Sequence, residues 1–598
     1  MSRITTRKWI WGLTSLTVAV AMAAATPAHA VRFDIGEVQG QFDSQLSVGS
    51  AWSTQARDAD LIWINNGGRA NAANSDDGRL NYEKGDVIST IFKGTHDLSL
   101  QYGDTGVFVR GKYWYDFEMK DGSQDLYDID DSGRRDLAKA SGAELLDAFI
   151  YHNYAIGSMP GSVRVGRQVV SWGESTFIQN SVNSINPVDV AAFRRPGAEI
   201  KEGLIPVNML YLSQSLTENL GMELFYQLEW DPLVLDNCGT FFSFTDAVAK
   251  GCNYTVVDGT QLSGGPMVYV PRLENREPTD SGQFGAAFRW FVPSLNDTEL
   301  GLYAMNFHSR SPIYSNIAGT GAPTGATPNA RLDVVEVPLD AGYYIDYPED
   351  IRLYGVSFQT NLGGMSVSGE LSYRPNQPLQ ISTNDTVAAA LGGGANPFTP
   401  VNLSGHYPGL VPGVPAPAGY DIRGYKRMPV TQAQVTAIHF MDNVLGADRL
   451  SLVGEVGYNH IGGLKSGPDP LRFGRDSIFG SGELAVPGLC EFVVNTAQPQ
   501  YCSDEGFYTQ HSWGYRLVAA LDYSGYAGVA LTPSLAFSHD VEGFGPNFNE
   551  GAKAASVGLN ALYNNKYNAS LSYTNYFGGD FNTLTDRDFV AVSVGVNF

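Results

Sequence analysis

The sequence predicts an all-β fold: a transmembrane antiparallel β-barrel of about 18 strands, with 16 as the alternative, long extracellular loops and an inward-folded plug segment. Three observations predict it. Apolar and polar residues alternate with period two in segment after segment, as in VAVSVGVNF at 590–598, where Val590, Val592, Val594, Val596 and Phe598 oppose Ala591, Ser593, Gly595 and Asn597. The connections between such segments alternate between short and long. Residues 31–598 hold no apolar run of membrane-helix length, while Gly 67, Tyr 31 and Phe 30 describe a β-protein rich in turns and aromatics. A mean hydropathy of −0.15 suits a barrel, which hides its apolar character in alternation.

Residues 1–30 set Arg3, Arg7 and Lys8 before an apolar stretch and end on Ala28-His29-Ala30. This is the pattern of a secretory signal peptide cleaved before Val31. The mature part, 31–598, is expected to be a single barrel domain in the outer membrane of a Gram-negative bacterium, in contact with its lipids and with the barrel assembly machinery.

In the first hairpins Leu98, Leu100 and Tyr102 face one way and Asp97, Ser99 and Gln101 the other, before a turn at 103–106. The return strand sets Val107, Val109, Tyr113, Tyr115 and Phe117 against Arg110, Lys112, Trp114 and Asp116. A soluble sandwich cannot bury the charged face and leave the aromatic face to water, whereas a barrel puts lipid on one side and a lumen on the other. Similar hairpins occur at 204–231, 350–376, 431–460, 511–541 and 553–577. They assign Arg110, Lys112, Arg164, Glu223, Glu370, Arg374 and Glu455 to the lumen. There the charges either satisfy one another in structural ladders or form a track for permeants.

The connection after the fifth strand, 171–203, lacks the composition of a solvent loop. It carries Trp172, Phe177, Ile178, Ile185, Val188, Val190 and Phe193, too much apolar surface to leave in water, so it is expected to fold inward as a constriction. Trp172, Glu174, Asp189, Arg194, Arg195, Glu199 and Lys201 are its candidate permeant contacts. Apolar surface beside a few fixed charges suits an amphipathic molecule better than a sugar.

Cys238 and Cys252 lie in one long connection, Cys490 and Cys502 in another. Proximity favours two local disulfides on the external side; a metal site ranks far lower, because no His or Cys cluster accompanies either pair. At the C-terminus Phe598 is expected to close the last strand onto the first and to act as an assembly signal.

A net charge of −23 excludes a phosphate-binding surface of the nucleic-acid type. No nucleophile elbow, zinc-protease, phosphate-loop or EF-hand pattern occurs, so no enzyme activity, cofactor or metal is expected. The remaining classes are a selective channel, a general or polar-solute porin and, third, an outer-membrane enzyme or surface receptor.

Seven stretches are specific: VGRQVVSWGES (165–175), INPVD (185–189), FHSRSP (307–312), YPEDIRLYGVSF (347–358), GELSYRPNQPLQ (369–380), SHDVEGFGP (538–546) and DRDFVAVSV (586–594). On these the chain resembles the proteobacterial domain-of-unknown-function family numbered thirteen-oh-two, found in pseudomonads and their relatives. The resemblance implies an outer-membrane barrel, often paired with a periplasmic lipoprotein-like partner and an RND-type inner-membrane pump that exports lipids, or placed in pathways for hydrophobic compounds such as steroids. It implies no catalytic residues.

Overall fold

Eighteen of the alternating segments become long strands that pair in chain order. The computed structural model describes residues 31–598 apart from 394–395, 397, 400–402, 404–405, 465–470, 485 and 527. The signal-peptide reading falls on 1–30 and lies outside the described residues. The first nine strands are β1 (Val38–Ser53), β2 (Val87–Tyr102), β3 (Thr105–Asp116), β4 (Ser141–Ile156), β5 (Met159–Gln168), β6 (Val207–Ser215), β7 (Leu220–Gln227), β8 (Phe284–Val292) and β9 (Thr298–Phe307). The second nine are β10 (Ile351–Leu362), β11 (Met365–Gln380), β12 (Tyr425–Asp442), β13 (Arg449–Ile461), β14 (His511–Tyr526), β15 (Val529–Glu542), β16 (Lys553–Tyr563), β17 (Tyr567–Phe577) and β18 (Phe589–Asn597). Each pairs antiparallel with the next and β18 returns to β1, so the sheet is closed. This agrees with the predicted count of 18.

Register carries the alternation from strand to strand. Phe288, Leu302, Val356 and Leu371 are successive cross-strand partners, all exposed, and form one rung of an apolar outer belt. On the opposite face Met209, Phe225, Tyr303, Met305 and Leu353 are buried inside the ring. Over these positions the wall from β6 to β10 is therefore apolar on both faces, while Glu223, Arg289 and Glu299 keep the rest of its inner face charged. The inner faces of β15 to β17 instead carry Ser534, Ala536, Ser538, Ser556, Ser570, Ser572 and Thr574, small residues that remain half-buried.

At the seam Phe598 N–H donates to the Ser44 carbonyl at 2.8 Å, and Ser44 N–H donates to the Phe598 carbonyl at 2.5 Å. A short strand, Val31–Ile35, then pairs with β1 from Val31↔Phe42 to Ile35↔Val38, covering the edge that β18 leaves free. Sequence periodicity over so few residues does not reveal it.

The ends of the barrel differ. At one, connections such as 103–104, 363–364 and 564–566 are tight; Asn564 and Asn565 both adopt positive φ, 51° and 55°, a conformation short polar side chains tolerate. At the other, the long connections fold into a cap instead of standing as separate loops. Tyr254–Gly259, Pro266–Pro271, Val334–Pro338 and Thr327–Asn329 make a four-stranded sheet, and Gly342–Asp346, Ile313–Ile317 and Asp421–Ile422 a three-stranded one. Val270, Tyr343, Ile345, Ile381 and Phe473 share its core.

The cap bridges the mouth. The β1–β2 connection meets the β7–β8 connection where Asp77 N–H donates to Asp246 at 3.1 Å, and the β13–β14 connection where Ser75 Oγ donates to Asp476 at 3.2 Å. These three connections stand a third of the ring apart. Both expected disulfides, Cys238–Cys252 and Cys490–Cys502, are formed within it.

Candidate functional site

Between β5 and β6 the chain turns into the lumen, because its apolar side chains match the apolar inner wall. Trp172 packs on Phe225 and Tyr303, with ring centroids 5.1 and 6.0 Å away, and Val182 and Ile185 join the same cluster. The Trp172 indole N–H donates to Glu223 at 2.7 Å. Gly173 has φ +88°, and a Cβ there would sit 2.3 Å from the Glu370 carboxylate, so the close approach to the wall requires glycine.

Two buried carboxylates on the wall hold the segment by its backbone. Glu455 on β13 accepts the N–H groups of Thr176, Phe177 and Ile178 at 2.7–2.9 Å. Glu370 on β11 accepts those of Glu174 at 2.5 Å and Val182 at 3.1 Å. Arg374 supplies the opposite polarity, donating to the carbonyls of Asn180 and Ser181 at 2.5 and 2.8 Å. A loop has no ladder of its own, so buried N–H and C=O groups must find partners here.

The second half crosses to β1–β3. Asp189 caps the short helix Val190–Arg194 by accepting Ala192 N–H at 3.0 Å, and pairs with Lys112 at 3.3 Å. Glu202 pairs with Lys93 at 2.7 Å, Glu199 takes the Gln45 amide and pairs with Lys201 at 3.0 Å, and Arg194 pairs with Asp236 of the cap at 2.6 Å. A Cβ on Gly49 would lie 2.6 Å from Pro196, so the segment lies directly against the β1 wall. Arg195 makes no ion pair among the described residues; it donates to the Leu137 carbonyl at 3.0 Å and lies 4.8 Å from the Trp114 ring centroid. Phe193 and Ile200 are exposed apolar residues, Ile200 at 74 %.

The seven wall charges divide into two groups. Lys112, Glu370, Arg374 and Glu455 are buried against the segment, which takes them out of reach of a solute in the lumen. Arg110 bonds Asp97 through two nitrogens at 2.7 Å and reaches Asp147 at 3.4 Å. Glu223 pairs with Arg289 at 3.1 Å, and Arg164 lies 4.9 Å over the Tyr211 ring. Arg110, Glu223 and Arg164 are therefore held by groups outside the set of seven. Asp147 reaches Arg110 because β4 bulges: Val109 pairs with Ala148 but Gly111 with Leu145, which adds a residue and turns Asp147 inward. Alternation counted along the strand predicts neither the bulge nor the pairing.

The cap contains a group the sequence does not suggest. Asp76, Asp77 and Asp246 are buried with an oxygen of each within 4.8 Å of the others. Burial, reinforced for Asp76 by the charge of Asp77, pushes Asp76 up to about 7. Burial raises Asp77 to about 6, held back by hydrogen bonds from Tyr127 and Gln261, and lifts Asp246 well above the usual carboxylate range. The three come from two connections separated by some 170 residues of sequence, so no local spacing marks them.

The family described as "Protein of unknown function (DUF1302)" matches residues 11–598. No curated protein matches the chain significantly. Among solved structures it is similar to Pseudomonas aeruginosa OccK2 (OpdF) in complex with glucuronate, at 8% identity and TM-score 0.37, covering 94% of this chain and 97% of that one. It is also similar to Acinetobacter baumannii OccAB1, at 10% identity and TM-score 0.39, with 95% and 98% covered. Pseudomonas aeruginosa OpdK with vanillate matches at 9% identity and TM-score 0.37, with 93% and 98% covered.

Proposed function

The chain belongs to the DUF1302 family, and from that premise we propose that it is an outer-membrane channel passing hydrophobic or amphipathic small molecules through a lumen narrowed by residues 171–203. The apolar outer belt sits in lipid and the cap faces outward. The observation that carries the reading is the constriction's own surface. Phe193 and Ile200 stand exposed on the segment that enters the barrel, close in sequence to the Glu199–Lys201 pair and to Arg195, which makes no ion pair among the described residues. Exposed apolar groups in a water-filled lumen lower the cost of dehydrating an apolar solute, while nearby charges orient its polar head.

The half-buried Ser and Thr strip of β15–β17 favours a second reading, a porin for polar solutes. Flux into proteoliposomes separates the two. The full chain should pass 3-phenylpropionate faster than a pentose, and deleting 176–198 should raise pentose flux and erase the preference. Equal flux of both solutes through the intact protein, unchanged by the deletion, would return it to the general-porin class.

A periplasmic lipoprotein-like protein and an RND-type inner-membrane pump are the partners we propose for the short-turn end. Photo-crosslinking from Leu295 or Leu445, exposed in those turns, tests this; recovery of barrel assembly factors alone would count against it.

A further inference from the structure

We propose that Arg195 is the head-group residue of a binding site for organic monocarboxylates, located between the lumen segment and the cap. This deepens the channel reading and rests on it for its place in transport, but not for binding itself.

Arg195 borders a narrow cleft that is open on one side, with only about 40 Å³ enclosed. Ile88, Trp114, Met119, Phe241 and Phe242 give it apolar walls. Three cations border it: Lys139, which pairs with Asp136 at 2.5 Å, and the neighbours Arg194 and Arg195, which differ. Arg194 is committed to Asp236 at 2.6 Å and to the Phe242 carbonyl at 2.8 Å. Arg195 spends one donor on Leu137, while its face is braced by the Trp114 ring. A guanidinium has five N–H donors in a planar fork, a match for the two oxygens of a carboxylate.

The acids nearest in the cleft are already used. Asp116 accepts the N–H groups of Thr90, Glu118 and Met119 at 3.1 Å and the Ser89 hydroxyl at 2.5 Å, while Asp236 holds Arg194. Neither forms an ion pair with Arg195 among the described residues, although both lie near enough for its charge to act on them. They also limit the charge of the ligand: the two carboxylates repel any anion in proportion to its charge, so a monoanion is opposed less than a dianion such as phosphate. The aromatic walls select an aryl or alkyl body behind the carboxylate. The site therefore takes one class, a monocarboxylate with an apolar body.

The test uses the full chain in lipid nanodiscs, with 3-phenylpropionate and its neutral counterpart 3-phenylpropanol titrated calorimetrically. The wild type should bind the acid about tenfold more tightly than the alcohol, the scale of one charge-assisted hydrogen-bonded pair. Arg195→Gln should abolish that preference, and Arg195→Lys should keep part of it, because a point charge remains without the fork. Equal binding of acid and alcohol to the wild type, or a preference that survives Arg195→Gln, overturns the proposal. Should Arg195→Gln fail to give a heat-modifiable barrel, the wild-type ratio and Arg195→Lys decide. A wild type that prefers the acid but passes none of it in proteoliposomes keeps the site and removes the transport reading; flux without acid preference does the reverse.

Discussion

Glu455 holds Ile178 by its backbone: the Ile178 N–H donates to Glu455 Oε2 at 2.7 Å, and the same oxygen takes Phe177 N–H at 2.7 Å. Glu455 is fully buried, so this carboxylate, rather than solvent, fixes the path of the lumen segment.

Glu455→Gln should loosen that path without opening the barrel. The amide presents an NH₂ group to one of three converging N–H donors, an unsatisfied contact worth about 1–3 kcal/mol. We expect higher and noisier single-channel conductance with unchanged heat-modifiable mobility. A conductance identical to wild type would show that Glu455 does not hold the constriction.

The aspartate group makes cap stability pH-dependent. Asp76 and Asp77 titrate near 7 and 6 in the folded cap against about 3.9 in an unfolded chain. The folded state then keeps protons that the unfolded state has lost. The contribution is fully present below about pH 4 and is lost as pH rises through 6 to 7. Arg79, Arg331 and Tyr127 face the same cluster and partly offset the loss. Hydrogen exchange of 63–81 and 243–261, corrected for intrinsic rates, should show more protection at about pH 5 than at about pH 8. Equal protection would mean that the carboxyls ionise without consequence.

Reduction should act on the cap alone. Each disulfide closes a short loop, 14 and 12 residues in separation, within a connection of the cap. In the chain-entropy model such a loop contributes about 3 kcal/mol. Limited proteolysis after reduction should cut within 232–280 and 461–510 while strands β1–β18 stay intact. Cleavage in the wall would show that the cap supports the barrel.

The seam depends on main-chain bonds, so side chain and backbone should separate there. Phe598→Ala keeps both bonds to Ser44 and should assemble with modest loss, whereas deleting Phe598 removes them and should lower the yield of folded barrel more strongly. Equal yields for the two variants would place the whole effect in the ring.

Strands of the wall are legible because lipid outside and lumen inside impose the same period-two rule on each, and Val590 to Phe598 carries it plainly. The lumen segment is legible for a different reason: Trp172, Ile178 and Ile185 are too apolar for a water-exposed loop, and they are buried. The cap is not legible. Tyr254–Gly259 and Pro266–Pro271 are short, flanked by Gly and Pro, and become strands only against Val334–Pro338, far along the chain. Wall charges could be assigned to a face but not to partners, since Glu370 and Glu455 bind backbone groups, which every residue type supplies alike.

The apolar cluster on the inner face of β6 to β10, with an apolar belt behind it, bears on biogenesis. The residues that pin the lumen segment, Glu370 and Glu455, lie on β11 and β13, well after the segment in the chain. Until those strands join the sheet, Met209, Tyr303 and Leu353 present a greasy surface toward the future interior, open to misplaced strands or lipid. Seating the segment and completing the ring must then be one cooperative event. A barrel folded around an empty bore would be a kinetic trap rather than an intermediate, and variants weakening the Glu455 anchor should accumulate it during insertion before any defect is visible in the finished protein.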